Sequence, residues 1–494
     1  MNIEKQKRAP FVKALEDYCQ LHMVPFHTPG HKIGVGASAY QKEVFGDALR
    51  RDLGLMYALD DLFQPEGPLL DAMELAADLY GAGRTFFSIN GTTACVEAMI
   101  LATCHDGDEI IIPREAHKSV ISGIILSGAK PVYMKSQFAA AEQVTLGPTL
   151  ESLQEAIAAH PQAKAVVFTY PTYDGIAIDL KALAAYAHAH GLYVLVDEAH
   201  GAHLPFHPDL PTEALACGAD CVAQSTHKLV GSVTQTSMLH CRKDFPLTDA
   251  VAKAMSLVQS TSPHYWFLAS LDSARQQLAL EGEVLVSNAV DLARWLRREL
   301  NAIPGIRSFG TEITRYDGVA ALDETKVTID FAGLGLNGRG AERLLRQEKI
   351  EVELTAGNHV LALITMGDTM ASVTALRNAC AHIAARYDAQ AQPVAVAEPP
   401  LPEPVVALSP RQAWHQDKEG IPLTAAAGRI VGETITFYPP GIPVLTMGEI
   451  ITPACLQYIQ RKMAAGYSPN GPQDGTLQTI QVLRQSPTGE RNKI

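Results

Sequence analysis

The sequence predicts an α/β protein: a large layered domain on a parallel sheet, then a smaller α/β domain and a separate C-terminal domain. Two observations carry the large domain. Between about residues 85 and 239, short β-branched runs alternate with segments of helical periodicity. The runs are apolar throughout rather than alternating, as expected for strands buried on both faces. A third observation is length, since 494 residues exceed what one core organises.

In order, TFFSIN reads as a strand, GTTACVEAMILATC as a helix, EIIIP as a strand, HKSVISGIILSG as a helix and KPVYM as a strand. TLESLQEAIAAH is a helix and KAVVFTYP a strand. DLKALAAYAHAHG is a helix with Asp179 as N-cap and Gly191 just past its end, and LYVLVDEAH is the next strand. Helices between strands give parallel pairing. The expected divisions are an N-terminal arm over 1–65, the large domain over 66–272, the small domain over 273–388, a Pro/Ala-rich linker over 389–410, and a C-terminal domain over 411–494.

The formal net charge of −13, without any Lys/Arg-rich run, argues against nucleic acid or an anionic membrane as partner and suits a cationic small molecule. No stretch is apolar for the length of a membrane span, and the N-terminus lacks a secretory pattern, so a cytoplasmic protein is expected. The eight cysteines are scattered, which fits free thiols in a reducing compartment; Cys217 and Cys221 would make half a metal site, but no second cluster accompanies them and no metal is expected.

Three segments carry chemistry, each just past a strand's carboxyl end, where parallel sheets place ligands. SINGTTA offers Gly91 for a tight turn and Thr92 and Thr93 beside the bare N–H groups of a helix start, which suits a phosphate. Alone, it reads better as an ordinary turn and N-cap. In LVDEAHGAH, Asp197 ends a buried strand, and a buried carboxylate needs a partner such as a protonated ring nitrogen. Asp-Glu-Ala-His also suggests a helicase, but no phosphate-binding Gly-x-x-x-x-Gly-Lys-Ser/Thr precedes it. In AQSTHKLVGS, Lys228 is a candidate imine-forming amine, with Ser225 and His227 as further phosphate contacts. A lone loop lysine is ordinarily a solvated charge; the order of phosphate site, acidic partner and lysine raises this one above that.

Together these segments resemble the Orn/Lys/Arg decarboxylase family of fold-type I pyridoxal-phosphate (PLP) enzymes, in its short bacterial form. The likeness runs over nearly the whole chain, through HTPGHK, LDDLFQPEGP, FFSINGTT, IPREAHKSV, VDEAHGAHLPFH, STHK with TQTSMLH, TSPHYWFLASLD, VLALITMGDT and FYPPGIPVL. The resemblance implies decarboxylation of a basic amino acid, with arginine to agmatine favoured and lysine or ornithine as alternatives. It implies that Lys228 bears the cofactor, that Asp197 pairs with the ring nitrogen, and that His117 stacks on the ring. Thr92, Thr93, Ser225 and His227 would hold the phosphate, with His200 close by. Thr261 and Ser262, in TSPHY with Tyr265, would reach a neighbouring subunit's site in a homodimer or larger homo-oligomer; Tyr265 and Glu449 would meet the substrate, Glu449 at its distal cation. Lys228 or His227 would reprotonate Cα. Asp60 and Asp61 are candidates for a second acceptor. Two departures from the family, Met447 in place of proline and LVGSVTQT after STHK, lie where selectivity is expected to be set.

Competing readings are a fold-type I transaminase or aldolase, which breaks another Cα bond with the same lysine and aspartate, and a catalytically idle binding protein, which would not need the lysine. FAGLGLNGRG contains Gly333-x-Gly335-x-x-Gly338, but as a lone glycine pattern it reads as a strand-to-helix turn rather than a dinucleotide site. His188 and His190 suit a helix C-terminus, while His27, His31, His203 and His207 are either site walls or loop residues.

Overall fold

The structure, a computed structural model, describes residues 2–387, 400–437 and 441–485. Residues 389–399 of the expected linker, and Tyr438, Pro439 and Pro440 of FYPPGIPVL, lie outside the described residues.

Seven strands form the central sheet: β1 (Arg84–Ser88), β2 (Glu109–Pro113), β3 (Lys130–Met134), β4 (Ala165–Thr169), β5 (Tyr193–Asp197), β6 (Cys221–Gln224) and β7 (Ser237–Cys241). Their spatial order is β1-β7-β6-β5-β4-β2-β3. The β3-β2-β4-β5-β6 run is parallel, and β7 lies antiparallel between β6 and β1. β1 therefore points the same way as the parallel run, so the carboxyl ends of six strands and the start of β7 share one edge.

Both faces of the sheet are covered, which explains the unbroken apolar runs. Val166, Phe168, Val194 and Val196 face the helices Leu150–Ala159 and Leu180–Ala189. Ala165, Val167, Leu195 and Ala223 face Gly91–Thr103, Lys118–Ser127 and Thr248–Val258. Asp179 caps Leu180–Ala189 as expected, accepting from the Ala182 amide at 3.1 Å.

A helix of 37 residues, Tyr265–Asn301, leads out of this domain. It runs unbroken through residue 272, where the sequence suggested a boundary, because two cores share it. Its first turns put Tyr265, Leu268 and Leu271 against Phe11 and Leu15. Its later turns put Ala293, Leu296 and Leu300 against a second sheet. That antiparallel sheet, in the order β8-β10-β9, comprises β8 (Lys326–Asp330), β9 (Leu354–Ala356) and β10 (His359–Leu363). The N-terminal helix Pro10–Gln20 is tied down by Asp272, which accepts from the Phe11 amide at 2.9 Å.

Around the glycine-rich turn, glycines serve close packing. A Cβ at Gly338 would stand 2.4 Å from the His359 carbonyl, and one at Gly333 2.7 Å from that of Gly305. The C-terminal segment has its own core of Val431, Ile435, Leu445, Ile459 and Val482. All eight cysteines are free; Cys221 lies 3.8 Å from Cys241 on the neighbouring strand, whereas the Cys217 thiol bonds the Thr212 carbonyl. Among the described residues no helix is long and apolar enough to cross a membrane.

Candidate active site

A cavity of about 410 Å³ opens at the shared strand edge. Gly91, Thr92, Thr93, His117, Asp197, His200, Ser225, His227 and Lys228 all line it. The loops after β1, β2, β5 and β6 deliver them, so the strand-end placement of ligands accounts for the whole set.

Gly91 turns with φ of +75° and starts a helix of 13 residues, Gly91–Thr103. The first amides of such a helix have no intrahelical acceptor and carry its positive end. A Cβ at Gly91 would face the Gln235 carbonyl at 3.9 Å, so the turn and the start of β7 enclose one side of the cavity. Thr92 Oγ1 lies 2.5 Å from Ser225 Oγ and 2.6 Å from Ser237 Oγ, joining β1, β6 and β7 through hydroxyls.

Asp197 is buried, and its Oδ1 accepts from the Ala199 amide at 3.2 Å. Its Oδ2 has no hydrogen-bond donor among the described residues. His117 caps Lys118–Ser127 by accepting from the Ser119 amide at Nδ1, which leaves Nε2 as the protonated nitrogen of the neutral ring. Burial pulls its pKa down, with Asp197 opposing, so the ring is neutral near neutral pH. His227 donates from Nδ1 to the Thr236 carbonyl at 2.7 Å, and burial likewise lowers its pKa.

Lys228 sits in the short helix Thr226–Leu229. Its Nζ is 3.0 Å from His200 Nε2 and 5.7 Å from the centre of the Tyr173 ring. Burial lowers its pKa, against the pull of Asp197 and Glu353. An amine with a depressed pKa is the nucleophilic kind.

Several lining residues were not picked out from the sequence: Glu115, Thr169, Pro171, Tyr173, Thr234 and Gln235. Thr169 ends β4 directly beside Asp197 in the register, and its buried hydroxyl has no hydrogen-bond partner among the described residues. The strand-end rule that located Asp197 applies equally to Thr169. A second cavity shares Glu115, Thr169 and Tyr173, and extends between Asp174, His359, Tyr458 and Lys462.

Four expected residues fall outside both cavity linings. Glu449 is buried with its oxygens occupied: Oε1 accepts from Arg114 Nη1 at 3.3 Å and Tyr133 Oη at 3.0 Å, and Oε2 from Arg114 Nη2 at 3.3 Å and the Thr446 amide at 3.1 Å. It ties the C-terminal domain to the loop after β2. Tyr265 is fully buried, donating to the Asp60 carbonyl at 2.8 Å and accepting from the Met56 amide, and so anchors the N-terminal segment. Thr261 and Ser262 are exposed, in a segment whose Ser260 amide donates to Asn90 beside the first loop. Asp60 is likewise occupied, by the amides of Asp61, Glu66, Gly67 and Leu69, and Asp61 accepts from the Phe63 amide. The departure at Met447 packs with Ala413 and Leu483, away from both cavities.

Known proteins resemble this chain over nearly its whole length. Residues 9–372 match the family profile described as Orn/Lys/Arg decarboxylase, major domain, and residues 393–468 match Orn/Lys/Arg decarboxylase, C-terminal domain. The arginine decarboxylase of Bacillus subtilis is 41% identical over 483 residues, covering 97% of this chain and 99% of that protein. That of Bacillus anthracis is 40% identical over 97% of this chain and 98% of its own. Among solved structures, a Francisella novicida lysine decarboxylase superposes with a TM-score of 0.83 at 23% identity, over 96% of this chain and 81% of that one, which establishes the shared fold.

The donor set suits PLP: helix-start amides and hydroxyls for a phosphate, a carboxylate oxygen awaiting a ring N–H, an unpartnered hydroxyl at Thr169 and an amine of lowered pKa. The chain belongs to the Orn/Lys/Arg decarboxylase family, as a PLP-dependent amino-acid decarboxylase.

Proposed function

We propose that the protein decarboxylates arginine to agmatine and carbon dioxide, with lysine or ornithine, giving cadaverine or putrescine, as the alternative substrates. The observation that carries the site is the convergence of Lys228, Asp197 and the Gly91–Thr93 turn on one cavity. The preference for arginine rests on the two arginine decarboxylases about 40% identical over almost the full length.

Lys228 would hold the cofactor through its side-chain amine. Asp197 would accept the ring N–H and keep that nitrogen protonated. Bound there, PLP supplies the sink for the electrons left on Cα as carbon dioxide departs. His117, with a pKa lowered by burial, would stack on the cofactor ring as a neutral imidazole. Thr92, Thr93, Ser225 and His227 take the phosphate, and Gly91 lets the backbone approach it. Lys228, with His227 as the alternative, returns the proton to Cα.

For the substrate's distal cation, the second cavity offers Asp174 and Glu115. Asp174 Oδ1 is buried without a hydrogen-bond partner among the described residues, 3.4 Å from His359 Nε2. A carboxylate in that state suits a guanidinium, whose planar fork gains most from paired acceptors. Lys462 across the cavity is pulled down to about 7 by burial, which weakens the opposing charge. The exposed Thr261 and Ser262 suit a neighbouring subunit, which makes a homodimer the expected assembly.

Supplying arginine, lysine and ornithine separately with PLP and identifying the amine released tests the reading. Agmatine is expected to dominate; predominant cadaverine or putrescine overturns the choice of arginine.

A further inference from the structure

We infer that Lys326, a second lysine buried behind His200, holds Lys228 as the free amine its chemistry requires. This rests on the reading of Lys228 as the cofactor-bearing lysine.

One imidazole separates two amines. Lys326 opens β8 and is 1% exposed, and its Nζ lies 3.1 Å from His200 Nδ1. Lys228 Nζ lies 3.0 Å from His200 Nε2. His200 is itself buried, and burial together with the charge of Lys326 holds its pKa well below the ordinary histidine value. The ring is therefore neutral, with one N–H and one bare nitrogen. An ammonium only donates, while a free amine also has a lone pair to accept with. Two ammonium groups cannot both hydrogen-bond one neutral imidazole. When both contacts are made, one lysine donates to the bare nitrogen and the other accepts from the N–H as a free base.

The surroundings decide which lysine carries the charge. Lys326 Nζ is 3.9 Å from Asp323 Oδ2, and both side chains are wholly inaccessible. Despite its burial, Asp323 is held down to about 2 by His203 and Lys326, with Thr325 donating to it at 2.6 Å. An ionised buried carboxylate needs a cation beside it. Burial lowers Lys326 to about 8, with Asp323 opposing and Glu353 and Asp174 adding to Asp323. Among the described residues no carboxylate lies within ion-pair distance of Lys228 Nζ, so the ammonium is assigned to Lys326, beside Asp323. Lys326 donates to Nδ1, the ring proton sits on Nε2, and Nε2–H points at the Lys228 lone pair. That lone pair forms the bond to the cofactor's aldehyde carbon, whose oxygen leaves as water. Lys326 is a positioning residue acting through His200.

The test compares apo wild type with Lys326→Met and Lys326→Arg. Each is mixed with PLP from mildly acid to mildly alkaline pH, and the rate of adduct formation is followed by absorbance. In Lys326→Met the half-rise of the rate is expected to move up by about one pH unit, slowing adduct formation about tenfold at neutral pH. Lys326→Arg, which keeps a cation, is expected to restore most of the rate. An unchanged profile in Lys326→Met overturns the inference. A second measurement needs no stable Lys326 variant: nitrogen NMR of histidine-labelled wild-type apoprotein, with the His200 signals assigned by their loss in His200→Gln. Protonated Nε2 with bare Nδ1 is expected; the opposite tautomer, or an imidazolium, overturns the inference. If wild type forms no adduct at any pH, the reading of Lys228 falls and this inference with it. If the adduct forms normally but Lys326→Met behaves as wild type, only the role of Lys326 falls.

Discussion

Asp197 and Glu449 are both buried carboxylates that the sequence marks as functional, and the fold treats them in opposite ways. Asp197 ends β5 at the cavity with one oxygen bonded to the Ala199 amide and the other facing the site. Glu449 has four donors on its two oxygens, two of them from Arg114. An ionised carboxylate has about four acceptor directions, so Glu449 is complete within the chain while Asp197 is not. Burial alone says that a carboxylate must be compensated. The count of unfilled acceptor directions says whether the compensation comes from the fold or from a ligand.

That contrast can be broken at several points. The largest effect is expected at the amine that Asp197 serves: Lys228→Ala should abolish both turnover and the absorbance of the lysine–cofactor adduct, and retained activity would sink the assignment. Asp197→Asn keeps the shape and removes the charge; kcat should fall on the order of 10²–10³-fold with little change in thermal stability. Glu449→Gln should do the reverse, costing roughly 3 kcal/mol by leaving Arg114 without its counter-charge, as read from denaturant unfolding, with KM for arginine changed by less than about twofold. A raised KM at unchanged stability would return Glu449 to the substrate. Asp174→Asn carries that KM effect instead, with an expected rise of about tenfold.

The smallest effect concerns the residue next to Asp197. Glu198 is fully buried, accepting from the Ala214 amide at 2.8 Å and Gln224 Nε2 at 2.7 Å, and burial pushes it up to about 8 from 4.5. Between those values the folded protein holds a proton that the unfolded chain has released, so this group's contribution to stability falls as pH rises through the window. Glu198→Gln should flatten that decline in thermal melts recorded at mildly acid and mildly alkaline pH. A slope equal to wild type would mean that Glu198 is ionised in the fold.

The part of the molecule that was legible in the sequence is the part whose logic is local. β5 and β6 read as apolar runs, and the position just past a strand's end located Asp197 and Lys228 without any contact being known. Thr169 obeyed the same rule and was overlooked because a threonine at a strand end carries no charge to draw notice. The surroundings of Tyr265 and Glu449 were not legible because they come from segments far away in the chain. Tyr265 bonds Asp60, 205 residues earlier, and Glu449 bonds Arg114, 335 residues earlier. Lys326 was invisible for the same reason. A lysine opening a strand reads as a solvated charge, and only its approach to His200, 126 residues away, makes it part of the site.

The measurement that tests the account most directly is reduction of the PLP-loaded protein with borohydride, followed by mass mapping of the modified peptide. The account predicts one pyridoxyl mark, on Lys228. A mark on Lys326 or on any other lysine, or none at all, would contradict it.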